Sequence, residues 1–324
     1  MPAFDAFRPL ALLALAGLGA MVLSVSVGSA GLSLADTLAA LTGSGSELNR
    51  TLVLELRLPR TLAAFATGGL LAVAGALMQV LLRNPLADPY VLGLSGGAAV
   101  GALLSMLAGV AGVIVTASAF GGALLSTLMV FGLAHGTGSW TPTRLLLTGV
   151  VVAAGWGAII TLLLALAPTL ELPGMLYWLM GDVAYAGSPW PAFVLLVLAC
   201  LLVIPAGRSL NVLARGPLQA AALGVNVRPM EWTIYIGASL LTATAVTTAG
   251  SIGFVGLVVP HMLRLVLGND QRIILPACAL GGGALLVLAD TLARVVISPE
   301  QLPVGVITAL LGVPTFLYLL YRSR

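Results

Sequence analysis

The chain has 324 residues, of which 60% are hydrophobic and 8% are charged, and its formal net charge at pH 7 is +3. Soluble globular domains carry about 25% charged residues, so this composition excludes a soluble core. All 14 basic residues are arginines, spread between apolar stretches. Because the chain has no lysine, a phosphate-binding loop that depends on lysine is excluded. The scattered arginines also do not form the clustered basic surface that nucleic-acid binding needs.

Ten apolar runs divide the chain, and each is long enough to form a membrane-spanning helix. A helix needs about 20 apolar residues to cross a hydrocarbon core of about 30 Å. The runs therefore predict an all-α, polytopic membrane protein whose residues 1–324 form a single transmembrane domain. The first run is interpreted as a span and not as a cleaved signal peptide. The predicted spans lie near 9–28, 61–82, 91–108, 111–133, 145–167, 190–206, 232–250, 252–267, 273–293 and 304–321.

Glycine and alanine positions predict how these spans turn and pack. Two apolar stretches are too long for one helix, and glycine-containing breaks at 109–112 and 250–253 are expected to reverse the chain. Small residues recur at every fourth position in Gly68, Ala72 and Ala76. This spacing is typical of helices that pack closely in lipid.

The arginines predict the orientation in the membrane. With the N-terminus inside, ten of the 14 arginines lie on the cytoplasmic side, as the positive-inside rule requires. Both termini are then cytoplasmic. The four arginines left outside are Arg50, Arg57, Arg60 and Arg294, and three of them sit at the ends of spans.

Few side chains inside the spans can carry chemistry. Asp290 and Arg294 are four residues apart near the outer end of a span, so they are expected to pair on one helix face. His135 and His261 lie near cytoplasmic ends without a nucleophile beside them, which argues against an enzyme and against a metal site. An ion-coupled secondary transporter remains the alternative, although such carriers normally keep a carboxylate or a broken-helix ion site within the membrane.

The longest internal loop, at about 206–231, predicts a short helix. Pro217 suits the first helical position and Gly224 suits the residue just past the end. The helix is too short to span, and its leucines form a narrow apolar stripe that suits a groove on a partner protein. We expect that partner to supply the energy for transport. The residues assigned to this coupling are Arg215, Leu218, Ala222, Leu223 and Gly224.

Six motifs, in this order and at this spacing, resemble one family: the ABC-importer permeases for iron-siderophores, haem and vitamin B12, the FecCD type. Together they cover nearly the whole chain. They are Arg57–Thr61, Gly75–Gln79, Arg83–Pro89, Gly253–His261 with Arg264, Leu288–Asp290 with Arg294, and Leu302–Val306.

The resemblance implies a type II ABC importer permease in the bacterial inner membrane. It implies a homodimer with the pathway at its interface, two ATPase subunits that bind ATP and Mg²⁺, and a periplasmic binding protein that delivers the substrate. No cofactor is expected on this chain. Overall likeness ranks haem first as the substrate and leaves ferric siderophores and vitamin B12 open.

At the outer face, the resemblance places Arg57, Arg60 and Arg294 where acidic residues of the binding protein dock. It also implies two short half-helices at the outer gate. These correspond to the segments around 172–174 and 301–305.

At the cytoplasmic face, the resemblance assigns Asn84 and Leu86 to an inner gate that faces Thr141 and Thr143. Relatives usually carry acidic residues in the coupling helix, whereas this chain has Gly216–Gln219 there. Docking of the ATPase by charge is therefore in doubt, but apolar docking is not.

Overall fold

The computed structural model describes residues 3–28, 31–134 and 141–322. Within these ranges the chain folds into fourteen α-helices joined by short turns. The helices are α1 (Ala3–Ser26), α2 (Leu34–Thr42), α3 (Glu47–Thr51), α4 (Leu58–Leu82), α5 (Leu94–Leu107), α6 (Val113–Ala134), α7 (Pro142–Leu166), α8 (Leu172–Met180), α9 (Trp190–Leu213), α10 (Pro217–Ala222), α11 (Val227–Ala249), α12 (Val255–Leu267), α13 (Gln271–Val295) and α14 (Val304–Arg322).

The ten predicted spans all fall on helices of this bundle: α1, α4, α5, α6, α7, α9, α11, α12, α13 and α14. In the described chain, six helical segments are long and apolar enough to cross a membrane by themselves, and α5, α12 and most of α14 are shorter apolar helices. The predicted reversals are confirmed. Gly109, Gly112 and Gly250 all have positive φ angles, which a residue with a side chain rarely adopts.

Helix α4 is the centre of the bundle and is buried along almost its whole length by α9, α11, α12 and α13. Glycines let its backbone touch its neighbours. A Cβ atom on Gly68 would overlap the carbonyl oxygen of Gly282, and one on Gly75 would overlap that of Gly256. The predicted close packing through small residues is therefore confirmed for α4.

The two ends of α4 define the two ends of the molecule. The arginine end is where α1 and α13 finish and α4 and α14 begin. The α10 end is where α4, α9 and α12 finish and α13 begins, beside the short helix α10. A run of 25 residues at 1.5 Å per residue separates these ends by about 37 Å along α4.

One predicted half-helix is present and the other is wrong. The segment around 172–174 opens α8, a separate helix of nine residues. Residues 301–303 are not helical, and Val304 starts α14, which continues to Arg322. Pro303 directly precedes this long helix. Proline is well tolerated where a helix begins, because the first N–H groups of a helix have no intrahelical partner.

Candidate functional site

The three arginines predicted to dock a binding protein line one cavity at the arginine end. The cavity has a volume of about 430 Å³, and Arg57, Arg60 and Arg294 all face it together with Gln301. The sequence places these residues in three different segments. The fold therefore brings them together, but each guanidinium also has contacts inside the protein.

Arg57 closes the end of α1. It ends a π-helical turn, Leu52–Arg57, that leads directly into α4. Its Nη1 donates hydrogen bonds to the carbonyl oxygens of Val25 at 2.9 Å and Ser26 at 3.0 Å. These carbonyls end a helix and lack intrahelical donors. A Cβ on Gly28 would lie 2.8 Å from an Arg57 nitrogen, so the guanidinium fills the space that this glycine leaves.

Arg294 and Asp290 form the predicted pair on α13, with Nε 3.2 Å from Oδ2. Asp290 is fully buried and Arg294 is 6% exposed. Arg294 Nη2 also donates to the carbonyl oxygen of Ser24 at 3.0 Å and to its hydroxyl at 2.8 Å. The pairing predicted from the i,i+4 spacing is confirmed, and the same arginine joins α13 to α1.

Arg60 is the most exposed of the three arginines and contacts three other segments. Its Nε lies 3.0 and 3.1 Å from the two oxygens of Asp290, and its Nη2 lies 2.7 Å from Oδ1. Its Nη1 donates to Gln301 Oε1 at 2.7 Å. Its Nη2 also lies 3.6 Å from Asp182 Oδ1. Two buried carboxylates therefore face the arginines of the cavity.

Sequence reasoning missed both Asp182 and Gln301. Asp182 follows Gly181 after α8 and accepts from the backbone N–H of Ala184 at 2.8 Å. A Gly-Asp pair after an apolar helix is a recognisable turn and cap signal. No local pattern, however, indicates that Asp182 or Gln301 meets Arg60, which lies more than 100 residues away in sequence.

A second, polar cavity of about 740 Å³ lies at the α10 end. It brings the predicted gate residue Asn84 beside the predicted coupling residue Arg215. Arg264 on α12 donates to the side-chain oxygen of Gln79, which lies on the last turns of α4. The fold thus places the gate loop and the coupling loop around one water-accessible space.

The predicted gate loop is held by local hydrogen bonds. Arg83 ends α4 in the left-handed conformation, with φ 49°. The Asn84 side chain then accepts from the backbone N–H of Leu86 at 2.9 Å. This fixes a turn that leaves Leu86 39% exposed. Thr141 caps α7 by accepting from the backbone N–H of Arg144 at 3.3 Å, and Thr143 lies exposed in the same first turn.

The short helix predicted in the loop at about 206–231 is confirmed as α10, although it ends at Ala222 and Leu223 is its C-cap. Gly216 and Gly224, with φ angles of 123° and 81°, bracket it. The helix rests on Ala220, which is fully buried, and leaves Leu218 86% exposed and Leu223 67% exposed. Two large apolar side chains therefore project from a polar loop.

At the same end, a hydrogen-bond cluster fixes the start of α13. Asp270 lies 2.6 Å from Arg272 and accepts from Asn211 of α9 at 2.8 Å. Asn211 in turn accepts from the backbone N–H of Gln271 at 2.7 Å. The hydrogen bond from Arg272 holds the pKa of Asp270 well below its ordinary value of 3.8.

Comparison with known proteins identifies the family. The model of the FecCD transport family matches residues 13–322, almost the whole chain. The chain belongs to the FecCD transport family.

Several permease proteins are similar to this chain in sequence. The chain is 41% identical over 294 residues to the uncharacterized ABC transporter permease protein YvrB of Bacillus subtilis, covering 87% of this chain and 82% of that protein. It is 43% identical over 283 residues to the cobalamin import system permease protein BtuC of Halobacterium salinarum, covering 86% of this chain and 75% of that protein. It is 40% identical over 280 residues to the hemin transport system permease protein HmuU of Yersinia pestis, covering 84% and 83%.

The fold is confirmed by a solved structure. The chain superposes on an ABC transporter assigned to the metal-chelate type and solved in an inward-facing conformation, with a TM-score of 0.86 and 29% sequence identity. The match covers 97% of this chain and 99% of that one. The predicted all-α type II ABC importer permease fold is therefore correct.

Proposed function

We propose that this chain is the membrane-spanning subunit of an ATP-driven importer that moves a bulky metal chelate into the cytoplasm. The observation that carries the proposal is α10, whose exposed leucines lie at the opposite end of the bundle from the arginine cavity. A transporter driven by a separate ATPase needs one surface that receives the substrate carrier and another that receives mechanical work. The arginine cavity at one end of α4 is proposed to receive the carrier, and α10 at the other end is proposed to receive the mechanical work.

The proposed assembly contains two copies of this chain, two ATPase subunits that bind ATP and Mg²⁺, and a periplasmic binding protein in a bacterial inner membrane. The arginine end faces the periplasm, both termini face the cytoplasm, and Arg57, Arg60 and Arg294 receive acidic side chains of the binding protein. Arg60 is the most accessible of these arginines, with 14% of its side chain exposed. Arginine and carboxylate pair well in such interfaces because both groups can form two parallel hydrogen bonds.

The inner gate is proposed to form between the two copies. Leu86 projects from the turn after α4, and Thr141 and Thr143 are exposed at the start of α7. Irregular backbone at membrane depth is tolerated only where it is buried in protein or lines a water-filled cavity. A second subunit would supply that cover and close the exit from the pathway.

The substrate is proposed to be a metal chelate of the size of a tetrapyrrole. The relatives named for cobalamin and for hemin import are 43% and 40% identical to this chain, a difference too small to separate them. Haem, the substrate ranked first above, therefore stands beside vitamin B12, and ferric siderophores follow. The binding protein is expected to carry most of the selectivity among them.

Transport in proteoliposomes tests the proposal. The permease, its ATPase and its binding protein are reconstituted, and uptake is measured after the binding protein has been titrated with haem, vitamin B12 and a ferric siderophore. We expect ATP-dependent uptake of the chelate that binds tightest, unaffected by collapse of proton and sodium gradients. Uptake that continues without ATP and stops when the proton or the sodium gradient is collapsed would instead establish an ion-coupled carrier.

A further inference from the structure

We propose that Gln301 and Asp182 are positioning residues: through Arg60 they hold the segments around α8 and α14 against α4. We call this set of contacts at the arginine cavity the latch. The latch rests on the proposed function, because it explains how docking at the cavity would act on the pathway. Arg60 makes all the contacts of the latch. Each of its three contacts belongs to a different part of the fold.

The first step is the placement of the contacts. Gln301 lies in the turn immediately before α14, and Asp182 lies immediately after α8. Asp290 lies in the last turns of α13. Arg60, near the start of α4, reaches all three at 2.7 to 3.6 Å. One guanidinium therefore ties the end of α8 and the beginning of α14 to the central helix.

The second step is that α8 and α14 are already joined to one another. The backbone N–H of Gly305 donates to the carbonyl oxygen of Gly181 at 3.0 Å. A Cβ atom on Gly305 would overlap the carbonyl oxygen of Met180, so the two backbones are in direct contact. The end of α8 and the first turn of α14 can therefore move together. We call this contact the α8–α14 junction.

The third step is the unequal strength of the three contacts. Asp290 is fully buried and holds Arg60 through both carboxylate oxygens. Gln301 is exposed and neutral, and Asp182 is more distant, at 3.6 Å. Both bonds have the charged guanidinium as donor, which strengthens a hydrogen bond, but Asp290 adds a charged, bidentate acceptor whereas Gln301 offers one neutral oxygen. A carboxylate that enters the cavity would therefore displace Gln301 first and leave Arg60 anchored on Asp290.

Because the three contacts of Arg60 differ in strength, docking at the cavity would change how the α8–α14 junction is held. An acidic side chain of the binding protein takes the Arg60 nitrogen that Gln301 occupies, and the α8–α14 junction keeps only the longer contact of Asp182 with Arg60. The docking partner would then be detected by the loss of the Arg60–Gln301 hydrogen bond inside the permease. Without a partner, Gln301 and Asp182 keep the junction in place.

Two substitutions at Gln301 should change the latch in opposite directions. Gln301→Met keeps the length of the side chain but removes the acceptor, whereas Gln301→Glu turns the contact with Arg60 into an ion pair. Gln301 is exposed in a turn, so both variants should fold. The measurement is ATP hydrolysis by the permease–ATPase complex in nanodiscs, first alone and then with increasing binding protein.

We expect Gln301→Met to raise hydrolysis in the absence of binding protein. We expect Gln301→Glu to raise the concentration of binding protein needed for half-maximal stimulation by about fivefold, because the incoming carboxylate must then displace a charged acceptor; a fivefold change corresponds to about 1 kcal/mol. Asp182→Asn should act in the same direction as Gln301→Met. Glu300→Gln is the matched control, because Glu300 is an exposed neighbour with no hydrogen bond to Arg60 among the described residues.

Raised basal hydrolysis in Gln301→Met only, and a raised half-maximal concentration in Gln301→Glu only, with an unchanged control, would support the latch, because simple destabilisation would affect both variants alike. If both variants behave as the wild type, or if both show the same change, while binding protein stimulates the wild type normally, the latch is wrong and the proposed function stands. If binding protein does not stimulate even the wild-type complex, the proposed function fails, and the latch fails with it.

Discussion

Asp290 organises the arginine end of the bundle, because its two oxygens accept from both Arg60 and Arg294. The carboxylate is fully buried. Burying a charge is unfavourable unless it is paired, and removal of one partner leaves the others uncompensated. The stability of this end therefore depends on one residue to an unusual degree.

We expect Asp290→Ala to lower the free energy of unfolding by about 3–5 kcal/mol, since two arginines would lose their counter-charge. Chemical unfolding of the purified protein in detergent micelles measures the change. Glu300→Ala, an exposed carboxylate at the same end, is the control and should change stability little. An Asp290→Ala variant as stable as the wild type would mean that water or lipid compensates these arginines.

Asp270 gives the α10 end a dependence on pH. Its pKa is lowered in the folded protein by the hydrogen bond from Arg272, from an ordinary value of 3.8. A lowered pKa means that the folded state favours the ionised form, so the stabilisation is complete above 3.8 and is lost as the pH falls through the folded-state pKa.

The wild type should therefore have a higher unfolding temperature than Asp270→Asn at pH 7, and the difference should shrink as the pH falls below about 4. Thermal unfolding of both proteins across this range is the measurement. Because all other carboxylates titrate in both proteins, the difference isolates Asp270. A difference that is constant with pH would show that the carboxylate acts only through its shape.

At the scale of elements, α10 is the feature proposed to bind the ATPase, and it exposes Leu218 and Leu223. Gly216 and Gly224 at its ends adopt conformations that favour glycine, and the buried contact at Ala220 seats it against the bundle. The helix can therefore pivot on its two ends while its leucines remain outside. Its exposed residues include Leu218 and Gln219, and the helix has no acidic residue.

We expect the double substitution Leu218→Asp and Leu223→Asp to weaken the ATPase contact without unfolding the permease. Each leucine contributes about 1.5–3 kcal/mol when buried in a groove, so their loss should release the ATPase or separate hydrolysis from transport. Co-purification of the ATPase and the ratio of transport to hydrolysis report the effect.

Gln219→Asp is the control for this experiment, because Gln219 is exposed on the same helix but does not belong to the leucine stripe. It should leave both readouts near normal. A double leucine variant that keeps its ATPase and transports at the normal rate would show that coupling runs through another loop.

At the scale of the whole molecule, α4 joins the two proposed working surfaces. It begins at the arginine cavity and ends at the gate loop, and its glycine contacts bind it tightly to α12 and α13. A closely packed central helix transmits displacement with little loss, because protein interiors resist compression. A displacement at one end can therefore reach the other end only if α4 and the helices around it move as rigid bodies.

In the proposed homodimer, cysteines placed at Asn84 or Leu86 should cross-link between the two copies in at least one nucleotide state. The experiment uses a Cys200→Ser background, since Cys278 is fully buried and Cys200 is partly exposed. Cysteine at Leu128, which is 70% exposed on α6, is the control. If neither gate position cross-links in any nucleotide state, the gate lies elsewhere.

The features that sequence alone determined are local. Apolar runs predicted ten spans, all of which fall on helices, and six helical segments of the described chain are long and apolar enough to cross a membrane by themselves. Length is readable from sequence because the hydrocarbon to be crossed sets the length of each spanning helix. The i,i+4 spacing determined the pairing of Asp290 with Arg294, and Pro217 with Gly224 determined α10. The six motifs identified the family, which the model match to residues 13–322 confirmed. Each of these rests on residues close together in the chain.

Tertiary structure alone decided how the arginines are used. Arg60 and Asp290 are 230 residues apart, and Arg60 and Gln301 are 241 apart. Their contact depends on the placement of α4 against α13 and α14, which local periodicity does not encode. The sequence marked Arg57, Arg60 and Arg294 as exceptions to the charge rule for membrane topology. Only the packed bundle showed that these charges are compensated by carbonyl oxygens and buried carboxylates, because compensation is a matter of distance in space.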